Sequence, residues 1–170
     1  MKKCLFIIFT LLVFISCEKN KQENKSRYLR HVGDIEHDSN IDDEDFIVCN
    51  ESTATQYFAF GEHLPYEGEK YEIEKIFFEK YKTPENSTEN GLVRIRFVVN
   101  CKGEAGRFRL MAMNDDYQEK KFDNKITGQL MALTKGLDGW RVMVSKSDPR
   151  DYYVYLIFKI RNGELVDIMP

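Results

Sequence analysis

The stretch Leu92-Val93-Arg94-Ile95-Arg96-Phe97-Val98-Val99, with its echo Arg107-Phe108-Arg109-Leu110-Met111-Ala112, decides the fold. In the first run Val93, Ile95, Phe97 and Val99 alternate with Arg94 and Arg96. A period of two places apolar and charged side chains on opposite faces of a half-buried strand. The second run alternates Phe108, Leu110 and Ala112 with Arg107, Arg109 and Met111. Cys101-Lys102-Gly103-Glu104-Ala105-Gly106 joins them, a connection of hairpin length with two glycines. The expectation is a hairpin with one apolar face and a basic stripe of Arg94, Arg96, Arg107 and Arg109 on the other.

Downstream, Phe122, Ile126, Leu130, Leu133 and Leu137 step by three or four residues, the stripe of a core-facing helix over 117–135. Asn114 or Asp116 is placed to cap it. Gly128 sits inside the stripe, where it costs about 1 kcal/mol relative to Ala, so it is expected to mark a close approach to the sheet. Gly136 and Gly139 lead out to a strand-like 140–144 and a turn around Pro149. Tyr152 to Ile160 is the longest β-rich run, and Asn162-Gly163 predicts a turn into a short strand at 165–168. Upstream, Tyr71, Ile73, Ile76, Phe77 and Tyr81 predict a helix over 69–82, stopped before Pro84. Phe46 to Cys49 reads as an edge strand. The order implies an α+β fold, an antiparallel sheet of about three to five strands packed by two helices on one face.

The chain of 170 residues opens with Lys2-Lys3, an apolar run from Leu5 to Ile15, and Ser16-Cys17. That run is too short to span a bilayer, which takes roughly 20 apolar residues. It resembles a bacterial lipoprotein signal over 1–16, with Phe14 where Leu is commoner. The resemblance makes Cys17 the acylated first residue of the mature chain. Several acyl chains, at about 0.8 kcal/mol per buried CH₂, would hold it to the membrane. The alternative is an ordinary cleaved leader with an incidental cysteine. Residues 17–45 are polar and acidic, with Tyr28, Leu29, Val32, Ile35 and Ile41 in no period, and read as a flexible tether ahead of a domain over 46–170.

Without the leader, about 23 basic side chains face 28 acidic ones. This balance disfavours nucleic acid and electrostatic docking to anionic lipid. Cys49 and Cys101 lie beyond the leader, in a compartment where disulfides persist, and a bridge between them is expected. It would close a loop of about 50 residues, worth roughly 3–4 kcal/mol on the chain-entropy view. Two buried free thiols are the alternative.

Residues 57–160 resemble the C-terminal domain of TonB-like periplasmic proteins. The matching features are the short helix before a Pro-containing linker, Gly91-Leu-Val-Arg-Ile-Arg-Phe-Val-Val, Gly103 in the hairpin turn, the amphipathic helix, Trp140 just after it, and Tyr155-Leu-Ile-Phe-Lys-Ile as the last main strand. The resemblance implies a two-layer sandwich and a binding mode at a strand edge. It does not imply energy transduction, because neither a motor-contacting transmembrane helix nor a Pro-rich spacer is present. Arg141-Val142 also departs from the family pattern after the Trp.

His31, His37 and His63 have no zinc-pair spacing. Asp38-Ser-Asn40-Ile-Asp42 starts like a calcium loop but has Asp43 and Cys49 where Gly and Glu belong. No nucleophile elbow or phosphate loop is present, so no catalytic residue, metal or cofactor is expected. The partner-binding candidates are Arg94, Arg96, Arg107 and Arg109 together with Tyr152, Tyr153 and Tyr155. The reading is a lipid-anchored protein of a Gram-negative envelope, facing the periplasm and more readily on the outer membrane than the inner. It would bind a protein partner, such as a segment of an outer-membrane receptor, by strand addition near 140–144 or 152–160. A self-pairing structural lipoprotein forming a homodimer is the alternative, and an enzyme or small-ligand binder using a pocket beside helix 117–135 is a weaker one.

Overall fold

The computed structural model describes residues 34–57 and 63–169, all within one compact unit. Its sheet is built on the expected hairpin, β2 (Gly91–Val99) and β3 (Ala105–Met113). Chain order adds β1 (Thr55–Gln56) and helix α1 (Glu69–Lys80) before them. Helix α2 (Asn124–Lys135), β4 (Met143–Ser145), β5 (Asp148–Arg150), β6 (Tyr152–Arg161) and β7 (Glu164–Met169) follow. β6 lies antiparallel to β2 from Gly91↔Ile160 to Val99↔Tyr152. On its other side it pairs with β1, parallel, at one end and with β7, antiparallel, at the other. β4 and β5 form a separate two-stranded hairpin. The architecture is α+β.

The period-two pattern works as written. Val93, Ile95, Phe97 and Val99 of β2 and Tyr152, Val154, Leu156, Phe158 and Ile160 of β6 fill one core with Ile73 and Phe77 of α1 and Ile126 and Leu130 of α2. Both helices therefore cover the same sheet face. Phe77 packs on Phe158 at 4.8 Å between ring centroids. Trp140 sits edge-on to Phe97 and Tyr66 at 5.1 and 4.9 Å. Burial pushes the Tyr81 hydroxyl up to about 12, and it donates to Gly163 O at 2.7 Å.

Several expectations are corrected. α2 begins at Asn124, because the Asp123 carboxylate accepts from Lys125 N and caps it there. Asn114 instead holds a turn, accepting from Asp116 and Gln118 N–H groups. Gly128 makes no close approach; a Cβ there would meet nothing within 4 Å. Trp140 contributes only an isolated bridge to Tyr66. Strand β4 starts at Met143, and its turn falls on Lys146-Ser147, both at positive φ, which leaves Pro149 inside β5.

The largest correction concerns residues 34–54. Phe46–Cys49 is not a strand. Nor do residues 34–45 behave as a tether. The segment, here called the strap, crosses the sheet face opposite the helices. Ile35 is buried with Val98 and Tyr153, and Phe46, Val48 and Ala54 pack around them. The Phe46 ring rests on Gly106 of β3, where a Cβ would clash with the ring carbons. The missed signal is a small apolar set, Ile35, Phe46, Val48 and Ala54, spaced too irregularly to show a period.

Candidate functional site

The four arginines of the hairpin lie on the strap side; the strap engages Arg107 and Arg109, and β1 engages Arg96. Arg109 grips Asp42 through two hydrogen bonds, of 2.6 and 2.7 Å, and donates to Glu36 O at 2.8 Å. The Asp42 carboxyl is held below its ordinary value, chiefly by that bond, and the Arg109 guanidinium is correspondingly raised. A register shift between Arg96 and Val98 and a positive φ at Arg107 mark a β-bulge. There Arg107 is buried, donating to Ile35 O at 3.1 Å and to Glu51 at 2.6 Å. Arg96 is also buried. It donates to Gln56 Oε1 at 3.2 Å and lies 5.1 Å over the Tyr153 ring. Arg94 remains half-buried over Tyr155 at 4.7 Å, and desolvation lowers the pKa of both Arg94 and Arg96. The open basic stripe of the sequence reading is thus an internal anchor for the chain's own acidic segment.

The tyrosine strand is likewise interior. β6 is paired from Tyr152 to Ile160 by β2 on one side, and on the other by β1 at Tyr152–Tyr153 and by β7 at Ile157–Arg161, which leaves only the short stretch Val154–Leu156 between them without a strand partner on that side. Tyr152 is fully buried, with its hydroxyl donating to Arg141 O at 2.7 Å. Tyr153 is buried under the strap and faces Asp34 at 3.4 Å. Only Tyr155 keeps partial exposure, and Arg94 covers its ring.

The main sheet ends in β1 and β7 on one side, each paired only with β6, and in β3 on the other, which has β2 as its sole strand neighbour. The far end of β3 is closed: Lys120 N donates to Ala112 O and Asn114 N to Gln118 O. Over Ala105–Leu110, no described backbone–backbone bond runs outward, and Phe108 O accepts from the Arg109 guanidinium at 3.0 Å. A cleft of about 610 Å³ lies along this edge, between the strap on one side and α2 on the other. Asp43, Asp45, Ile41 and Phe46 form the strap wall, Met131 and Lys135 the helix wall, and Ala105 to Phe108 the floor. A slot floored by an edge strand whose outer backbone groups are not paired to another strand can take one more extended chain between its two walls. Sequence reasoning missed it, because which strand ends a sheet is set by pairing order and not by local pattern.

The Cys49–Cys101 bridge is present, with Cα atoms 6.0 Å apart, and it staples the strap to the β2–β3 turn. Beside it, buried Asp151 accepts from Cys49 N, Asn50 N and Cys101 N at 3.0, 2.7 and 3.0 Å. The two sulfurs and this carboxylate lie close enough to resemble a metal cluster. Both sulfurs are spent in the disulfide, however, and the carboxylate serves the backbone. His37 neighbours Asp42 at 3.7 Å and His63 neighbours Glu69 at 2.9 Å, so the two are not brought together. Cys17 and His31 lie outside the described residues. Among the described residues no helix is long and apolar enough to cross a membrane. Comparison with protein families, curated proteins and solved structures yields no match to this chain.

Proposed function

We propose that this chain is a lipid-anchored binding module of the bacterial cell envelope, with a TonB C-terminal-like domain that takes up an extended segment of a protein partner as an added strand. The observation that carries the reading is the edge stretch Ala105–Leu110, without an outer strand partner, whose Ala105–Phe108 portion floors a walled cleft. Main-chain pairing along such an edge supplies affinity, and the walls supply selectivity through alternate side chains. This moves the docking edge from the tyrosine strand to β3. The leader pattern ending at Cys17 and the Cys49–Cys101 bridge support an oxidising envelope. Arg107 and Arg109 hold the strap that forms one wall, and so act on the partner indirectly.

The test is backbone NMR of the full-length chain, titrated with a mixed panel of extended seven-residue peptides. Amide shifts grouped on 105–110 are expected. Shifts only at β1 or β7, or none with any peptide, would reject the reading. Location is tested separately: labelled palmitate should enter the protein and should fail to enter Cys17→Ser.

A further inference from the structure

We infer that the β3 cleft selects a basic extended segment, one with Lys or Arg at alternate positions and small apolar residues between them. This rests on the strand-addition reading and names the partner chemistry it takes.

The charges lining the cleft are unevenly spent. Both oxygens of Asp42 are engaged by Arg109, and Arg107 is engaged by Glu51 and Ile35 O. Neither pair has charge left to offer. Of the remaining lining groups, Asp43, Asp45 and Glu104 are carboxylates and Lys135 is the one ammonium. Asp43 accepts only from Asp45 N, and Glu104 accepts from Asn100 Nδ2, so each keeps its charge without a cationic partner. Asp45 is exposed and makes no described side-chain bond. Lys135 leans over the Phe108 ring at 5.6 Å.

The carboxylates are also sorted by wall. Asp43 and Asp45 stand on the strap side of the sheet plane, while Met131, Phe108 and Lys135 stand on the helix side. A strand lying against Ala105–Leu110 runs about 20 Å and sends successive side chains to opposite faces. Its strap-facing residues meet Asp43, Asp45 and Ile41. Its helix-facing residues meet Met131 and Phe108. The alternation of charge to one side and apolar contact to the other is the pattern this slot complements.

The same sorting opposes a second copy of this chain as occupant. Antiparallel pairing of β3 with its twin would place the two-fold axis perpendicular to the sheet, with both straps on the same face. Asp43 and Asp45 of each copy would then approach those of the other, and like charges across a strand pair repel. The bulge at Arg107 further roughens the edge against flat self-pairing.

The experiment uses the full-length chain at about 20 mM salt with two probes: Val-Lys-Val-Lys-Val-Lys-Val and the same peptide with Glu for Lys. Both are read by amide shifts at 105–110. The Lys peptide is expected to bind about tenfold tighter, as two or three partly exposed charge pairs would give. That ratio should shrink toward unity in about 0.5 M salt, where screening is nearly complete. It should also shrink at least about threefold in the double variant Asp43→Asn, Asp45→Asn, which keeps the turn acceptor at position 43. Equal or inverted preference with shifts still at 105–110 would overturn the basic-segment inference while leaving strand addition standing. An unchanged ratio in the double variant would also overturn it. Shifts with neither peptide would take down the strand-addition reading itself. A dimer by light scattering, with 105–110 buried between copies, would overturn the inference in favour of self-pairing.

Discussion

The two faces of the central sheet are covered by different physics. On the helix face, apolar side chains from β2 and β6 meet α1 and α2 in one continuous core. On the other, a largely irregular segment with one 3-10 turn at Glu51–Thr53 ahead of β1 is held at separate points: Phe46 on Gly106, Asp42 on Arg109, Glu51 on Arg107, and the Cys49–Cys101 bridge. Burial on the first face is diffuse and cooperative. On the second it is local, and each fastening can be removed singly. The protein therefore has a rigid half that sets the fold and a fastened half that shapes the cleft.

The largest effect is expected on the helix face. Phe77→Ala removes a fully buried ring and leaves a cavity against Phe158, which should cost about 3–5 kcal/mol in urea unfolding. Loss should be global, seen equally in β6 and the strap. Reduction of Cys49–Cys101 should cost about 2–4 kcal/mol, with a different distribution. Amide exchange should rise first over 34–50, because the bridge ties that segment to the β2–β3 turn, while β6 keeps its protection. Simultaneous loss on both faces would erase the distinction between them.

The Asp42–Arg109 fastening sharpens the contrast through pH. Asp42 titrates below its ordinary value of 3.8 in the folded chain. Its stabilisation is therefore fully present above the unfolded value and is lost as pH falls through the lower folded one. The strap should loosen in that acid window ahead of the helix face. Asp42→Asn should cost about 1–3 kcal/mol at neutral pH and flatten the acid limb of a strap-reporting exchange profile. The smallest effect has the opposite sign. Gly128 is exposed in mid-helix with open space around its Cα, so Gly128→Ala should stabilise by up to about 1 kcal/mol, with no change in strap exchange. Thermal unfolding checks it.

The same contrast explains what could be read in advance. The helix face announces itself in periodicity: Val93, Ile95, Phe97 and Val99 at two, and Ile126 and Leu130 at four, are set by local geometry that any window of sequence carries. The strap does not, because Ile35, Phe46 and Val48 bury themselves against partners more than fifty residues away, with loop geometry between them. Its polarity made it resemble a solvated linker, and the arginines resembled a free surface for the same reason. Each half of an ion pair, Asp42 or Arg109, looks exposed until the other is placed. The disulfide was legible from compartment and cysteine count. The open edge was not, since strand order is a property of the whole sheet.

The partner strand is proposed to add along β3, in the cleft between strap and α2, rather than along β1 or β7, the edge strands on the other side of the sheet. The most direct measurement is hydrogen exchange on the full-length chain with and without the Lys-bearing seven-residue peptide. New protection is expected at 105–110, with 152–153 and 157–160 unchanged because they are already paired on both sides. Protection appearing at β1 or β7 with 105–110 unaltered would contradict it.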